Sequence, residues 1–445
     1  MTFPAYPEYK DSGVEWLGKV PAHWRVCRVK SVADVINGYP FDSGLFGPDA
    51  LYPLIRIRDL NRSETEIRVG GDFVEAASVT SSDVLIGMDG DFNVGRWNGG
   101  GVGLLNQRMC CVRGQTSLLT RILEFTLPFP LKVINKVTFS TTVKHLSSAQ
   151  VEKTAVAFPL DEQEQSAIVT FLDREISKID ALVAEQEKLV DLLKEKRQAV
   201  ISHAVTKGLA PSVPMKDSGV EWLGEVPGHW DVVPVKRLVQ LVTSGPRGWS
   251  ELVADEGAVF FQSQNIGEAM EVVLDAPNRL VPPQDADAGR ALLKGDDVVI
   301  CITGARTGAV AHVPSEIEEA YINQHVCLLR PSSTVLGRFL AFSLYSVAGQ
   351  EQLSCSMYGL KQGLGLEQVR ATVVACPDEE EQRQILAFLD TEVAKLDALD
   401  AEARNAIGLL KERRSALISA AVTGKIDVRG LANDLSSASE ALENA

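Results

Sequence analysis

The sequence predicts an α+β fold: two globular segments separated by two long helices, which pair within the chain as an antiparallel coiled coil about a pseudo-two-fold axis. Three observations carry this. A nine-residue string is written twice, a second repeat closes each half with a long helical pattern, and the segments between the repeats read as short strands and turns.

The string KDSGVEWLG runs from Lys10 to Gly18 and again, unchanged, from Lys216 to Gly224. The match continues at the same offset, VPAHW at Val20–Trp24 answering VPGHW at Val226–Trp230. A repeat of this period marks a duplicated unit. Trp16, Trp24, Trp222 and Trp230 are expected to pack at the junctions of that unit.

The second repeat begins PLDEQEQ at Pro159 and PDEEEQR at Pro377, an offset near 217 rather than 206, so the intervening material differs in length between the halves. Proline followed by carboxylates is a helix start, because proline lacks a donor that would be orphaned there and negative charge suits the positive end of the helix dipole. Apolar residues then fall at Leu172, Ile176, Ile179, Val183, Val190, Leu193 and Val200, and in the second copy at Leu389, Val393, Leu396, Ile407, Leu410 and Leu417. Such a narrow three-four stripe makes a helix seam. Both copies lie in one chain, so pairing within the chain wins on effective concentration. A duplicated unit of globule plus helix closes most simply with the helices antiparallel and residues 1–19 near the end of the second helix.

Between the repeats, pieces such as Tyr52–Leu60, Asp83–Gly90, Val259–Gly267 and Asp296–Gly304 are β-rich and bounded by Gly, Pro and Asn. The expected division is therefore 1–158 for the first junction and globule, 159–209 for the first long helix, 210–376 for the second junction and globule, 377–430 for the second helix, and 431–445 for a disordered tail.

The net charge is −15, but it is unevenly spread: residues 1–158 carry +1, 159–207 carry −3, 208–376 carry −7 and 377–445 carry −6. A nucleic-acid binder of this balance needs a local basic face or a partner that supplies part of the phosphate grip. The opening MTFPAYPEYKDSG lacks a signal peptide's basic-then-apolar order, and no apolar run spans a bilayer. Seven cysteines without a C-x-x-C pair suit a reducing compartment, so the cytoplasm is expected.

Catalytic motifs are absent from the sequence. There is no phosphate loop, since Gly424-Lys425 is followed by Ile426, and no H-E-x-x-H or Cys/His cluster. The one Pro-Pro pair, in LVPPQDA, does not match the Asn- or Asp-Pro-Pro-aromatic motif of adenine methyltransferases.

With KDSGVEWLG and VPxHW, the DEQEQ and EEEQR helix starts, FLD followed by LLKEKR or LLKERR, and the closing ISHAVTKG and ISAAVTGK, the chain resembles specificity subunits of type I restriction-modification systems over nearly its whole length. GDDVVICITGARTGAVA, INQHVCLLRP and GLKQGLGLEQV also look like that family's target-recognition sequence, and DGDFNVGRWNGG with LLNQR like a different recognition subtype. The resemblance implies two target-recognition domains that read a bipartite double-stranded DNA site. It also implies two modification subunits that hold S-adenosylmethionine and methylate adenine at N6, and two ATP- and Mg²⁺-dependent restriction subunits, with no catalytic residue, cofactor, metal or membrane contact on this chain.

DNA-contact candidates are the polar and aromatic residues of glycine-bearing loops, whose side chains can distinguish base edges and whose backbones can approach a groove. In the first globule these are Arg96, Trp97, Asn106, Gln107 and Arg108. In the second they are Arg247, Trp249, Arg306, Thr307, Gln324, Lys361 and Gln362. An autonomous bipartite DNA-binding regulator would share this architecture, and a coiled-coil scaffold would share the helices without sequence-dependent binding.

Overall fold

The computed structural model describes residues 3–138, 144–357 and 363–430. The tail expected at 431–445 lies outside the described residues. The chain divides into two compact units, one of residues 1–185 with 406–445 and one of residues 186–405. No described helix is long and apolar enough to cross a membrane.

The two repeats meet inside each unit. The first long helix spans Glu162–Lys207, about 69 Å at ~1.5 Å per residue, and the second spans Glu379–Val422. Asp161 and Asp378 cap them, accepting from the backbone N–H of Gln163 and Glu381 respectively. The repeated glutamines just inside are buried, and Gln165 and Gln382 each donate to the carbonyl of the leading proline, Pro159 or Pro377. Both helices end on a left-handed glycine, Gly208 at φ +71° and Gly424 at φ +70°, a backbone conformation that a side chain would strain.

In the first unit, the Trp24 indole N–H donates to Glu164 at 2.8 Å, and His23 Nε2 lies 2.8 Å from the same carboxylate. Gly424, at the end of the other helix, packs on Pro21 and Trp24, and the Tyr9 hydroxyl donates to its carbonyl. The start of one helix and the end of the other therefore share one tryptophan. Farther along, Asp180 meets Arg414 at 2.9 Å, which makes the helices antiparallel. Their seam buries Ile168, Phe171, Leu172, Ile176, Ile179, Leu417 and Ala421.

The second unit repeats the device with the helices exchanged. Trp230 donates to Glu381 at 3.0 Å, His229 reaches the same carboxylate at 2.7 Å, and a β-carbon at Gly208 would stand 3.2 Å from the Trp230 ring. Arg197 pairs with Asp397 at 3.2 Å, and Ile201, Ala204, Val205, Ile385 and Leu389 share one core. Trp24 and Trp230 are the packing residues expected, whereas Trp222 is exposed.

Cysteines introduced as Asp180→Cys and Arg414→Cys, in a Cys355→Ser background because Cys355 is the exposed thiol, should be joined within one chain by a short bis-maleimide. Cross-linking that appears only between chains would contradict the antiparallel pairing.

The two globules share one scaffold that their sequences hide. Among the described residues of the first unit, one sheet has the order Val94–Gly95, Val84–Gly87, Met109–Gly114, Ala33–Asn37. In the second unit the order is Val310–His312, Val298–Cys301, Val326–Pro331, Val239–Ser244. Each unit adds a second sheet with a parallel pair, Tyr52–Ile55 beside Gly103–Leu105 and Ala258–Phe261 beside Ala320–Ile322. Each also fixes its central sheet with an ion pair on a buried carboxylate: Arg113 forks onto Asp83, and Arg330 onto Asp297.

Candidate nucleic-acid interface

In each globule a strand of the second sheet crosses into a strand of the first through a tight polar turn. In the first globule the turn is Asn106-Gln107-Arg108, and in the second Asn323-Gln324-His325. The asparagine closes each turn on its own backbone, Asn106 Oδ1 accepting from Arg108 N–H at 3.2 Å and Asn323 Oδ1 from His325 N–H at 3.0 Å. The glutamine and the basic residue after it are exposed, flanked by buried strand residues on both sides. A glycine lies against each turn. A β-carbon at Gly38 would fall 1.9 Å from the Asn106 carbonyl oxygen, and one at Gly245 would fall 1.9 Å from that of Ile322.

Other candidate loops gather around the second turn. The loop Thr303–Gly308 meets it through the Thr303 hydroxyl, which bonds His325 Nδ1, and Ile302 N–H donates to the His325 carbonyl at 2.9 Å. The loop from Ser244 meets it through Gly245, whose N–H donates to the Asn323 carbonyl. Gly363 lies against Thr303 and Ile302. Arg247 and Gln324 are exposed here, and Arg306 and Thr307 half-buried. Lys361 and Gln362 lie outside the described residues.

The first globule places its candidates in two groups. Arg108 ion-pairs with Asp89 at 3.0 Å, and Asp89 also holds His145 at 2.8 Å. Tyr39, exposed and 5.0 Å from Phe41 ring to ring, joins this group through its N–H to the Leu105 carbonyl. Arg96 belongs elsewhere: it is tied to Asn61 through backbone and side chain and to Glu124 at 3.5 Å. Trp97 and Trp249 are buried in cores, Trp97 against Ile55 and Leu105 and Trp249 against Tyr321, so neither ring offers a face to a ligand.

Sequence reading passed over Asp89 and Tyr39 as site residues and took Thr303 only as the first residue of a candidate loop. The signal that could have found them is the short match of Asn106-Gln107 and Cys110 with Asn323-Gln324 and Cys327, at the offset of 217 that the helices also share. Among the described residues no group of His, Cys, Asp and Glu could hold a metal ion.

Residues 21–190 match the model of the type I restriction modification DNA specificity domain. Along 94% of its length the chain is 27% identical to the EcoBI specificity subunit of Escherichia coli, covering 90% of that protein. Residues 21–190 thus carry the pattern of that domain, and the chain as a whole is similar to type I specificity subunits. A second specificity subunit, MjaVIII of Methanocaldococcus jannaschii, is 22% identical over 93% of this chain and 95% of its own length. The fold matches a chain solved in work on complex assembly and conformational transition of the type I R-M system, with TM-score 0.68 at 15% identity, over 91% of this chain and 98% of that one. Specificity subunits are non-catalytic, their part being DNA recognition while catalysis lies on partner subunits.

Proposed function

We propose that this chain is a type I specificity subunit that reads a bipartite, asymmetric double-stranded DNA site, each globule reading one half. The observation that carries this is the pairing of one scaffold with different exposed basic side chains: the sheets, ion pairs and turns correspond, while Arg108 in the first turn is answered by His325 in the second. The domains are those bounded at 1–158, 159–209, 210–376 and 377–430, each junction and globule acting as a recognition module on the helix pair.

In the cytoplasm the subunit works with two modification subunits, which hold S-adenosylmethionine and methylate adenine at N6. Two restriction subunits use ATP and Mg²⁺. With −7 on residues 208–376, the second globule has little general attraction for phosphate, and the modification subunits supply part of that grip.

The test is binding of the subunit, assembled with its modification subunits, to duplexes altered in one half-site at a time. The motif itself is first read by sequencing host DNA for methylated adenine with and without the gene. Arg306→Ala should weaken discrimination only in the half-site of the second globule, and Arg108→Ala only in the other, by about 1–3 kcal/mol per lost base-edge contact. A substitution that alters both half-sites equally would end the modular reading.

A further inference from the structure

The correspondence of the two turns extends to the residue that orients them. After the strand Val84–Gly87, Met88 N–H donates to the Arg108 carbonyl at 2.9 Å, and the next residue, Asp89, takes the Arg108 guanidinium. After the strand Val298–Cys301, Ile302 N–H donates to the His325 carbonyl at 2.9 Å, and the next residue, Thr303, takes the His325 imidazole. The segments at Leu146 and Leu364 follow the same plan, Leu146 N–H donating to the Met88 carbonyl and Leu364 N–H to that of Ile302. Each globule thus holds an asparagine that shapes the turn, an exposed glutamine, an exposed basic side chain and, at one fixed place, a partner that aims that side chain.

Only two of these four positions differ between the globules. The asparagine and glutamine are the same, whereas the basic residue and its partner change together, Arg108 with Asp89 and His325 with Thr303. The chemistry of the constant and variable positions differs as well. Glutamine offers a donor and an acceptor side by side, the pattern that matches the major-groove edge of adenine. An arginine fork fits O6 and N7 of guanine, which an imidazole cannot match with two parallel donors.

We propose that the turns Asn106–Arg108 and Asn323–His325 are one base-reading element present in two copies. In it the shared glutamine makes the contact common to both half-sites, and Arg108 or His325 sets the base preferred beside it. Asp89 and Thr303 are positioning residues that act through Arg108 and His325. This rests on the modular reading above and adds to it the side chain through which each half-site is told from the other.

The experiment uses the full-length subunit with its modification subunits and a panel of duplexes in which each base pair of each half-site is changed in turn. Arg108→His should change the preferred base at one position of the first half-site. Gln107→Ala should cost roughly tenfold to a hundredfold in discrimination at a neighbouring A·T pair. His325→Arg and Gln324→Ala should do the same in the second half-site, and all four positions are exposed, so the fold is not at stake. Asp89→Asn should lower discrimination at the Arg108 position without changing which base is preferred there, a split that a purely structural role would not produce.

Equal loss for every duplex, with a flatter salt dependence, would make these residues phosphate contacts and overturn the proposal while leaving modular reading intact. Unchanged discrimination in Gln107→Ala and Gln324→Ala would overturn it too. An effect of Arg108→His in the second half-site would instead strike at the modular reading itself.

Discussion

Replacing Arg330 with methionine should destabilise the second globule by about 3–5 kcal/mol, because it leaves a buried carboxylate without its counter-charge. The Asp297 side chain is 1% exposed, and it accepts from Arg330 Nε and Nη2 at 2.9 and 2.8 Å and from the Lys294 backbone N–H at 2.8 Å. Arg330 Nη2 also reaches the Leu292 carbonyl, so the pair ties the central sheet to the loop before it. Adding Asp297→Asn to Arg330→Met removes the stranded charge but keeps the acceptor for Lys294, and should recover more than half of the loss. Hydrogen exchange of the Val298–Cys301 amides measures both, since that strand is buried and lies between two neighbours. A loss below about 1 kcal/mol in the single variant would mean that Asp297 is solvated and that the pair does not hold the sheet.

The first globule lets the same pair be followed by pH. Burial works to raise the Asp83 carboxyl, but the hydrogen bonds from Arg113 and from Thr80 outweigh it, and the group is held below its ordinary value. A carboxyl lowered in the folded state contributes stability that is fully present above its unfolded value. That contribution is lost as pH falls through the lowered one. The protection of the Val84–Gly87 amides, taken relative to the intrinsic exchange rate at each pH, should therefore fall on acidification below the ordinary carboxylate range, and less so in Asp83→Asn.

The architecture was legible in the sequence wherever physics forced long runs or exact repetition. The helix stripe had to keep its three-four spacing over many turns, and KDSGVEWLG had to keep its side chains because Lys10 and Lys216 both bond the carbonyl of the following tryptophan, Trp24 or Trp230. The common scaffold of the globules was not legible, because strands of two to six residues carry too little periodicity and need only be apolar where they are buried. Arg113 and Arg330 lie 217 positions apart, yet Asp83 and Asp297 lie 214 apart, so a loop of different length breaks the match between the halves of one ion pair. Trp97 and Trp249 show the other limit. A tryptophan beside arginine or glycine in a loop reads as a contact residue until its burial is known, and both rings fill cores. Gln107 and Arg108 differ from the tryptophans in being exposed, because strand burial on either side leaves the turn nowhere to go but solvent.

The larger effect in the first unit should come from Trp24, the side chain on which the start of the first helix and the end of the second converge. It is 1% exposed, packs in the core with Tyr6, Phe171, Leu172 and Ala421, and donates its indole N–H to Glu164, whose side chain is 2% exposed. Trp24→Ala should cost about 3–5 kcal/mol through lost apolar contact and the cavity left behind. Trp24→Phe keeps most of the ring but leaves the buried carboxylate one donor short, at a cost of about 1.5–3 kcal/mol, which separates the polar part from the packing part. Exchange of the amides from Ile168 to Leu172 reads both variants, and a Trp24→Phe protein as stable as the original would show that the tryptophan is there for its ring alone. The turn Asn106–Arg108 is held by its own sheet and by Met88, not by Trp24. Base preference should therefore survive Trp24→Phe unchanged while stability falls, whereas a shift in preferred bases would mean that the junction and the reading turn are mechanically coupled.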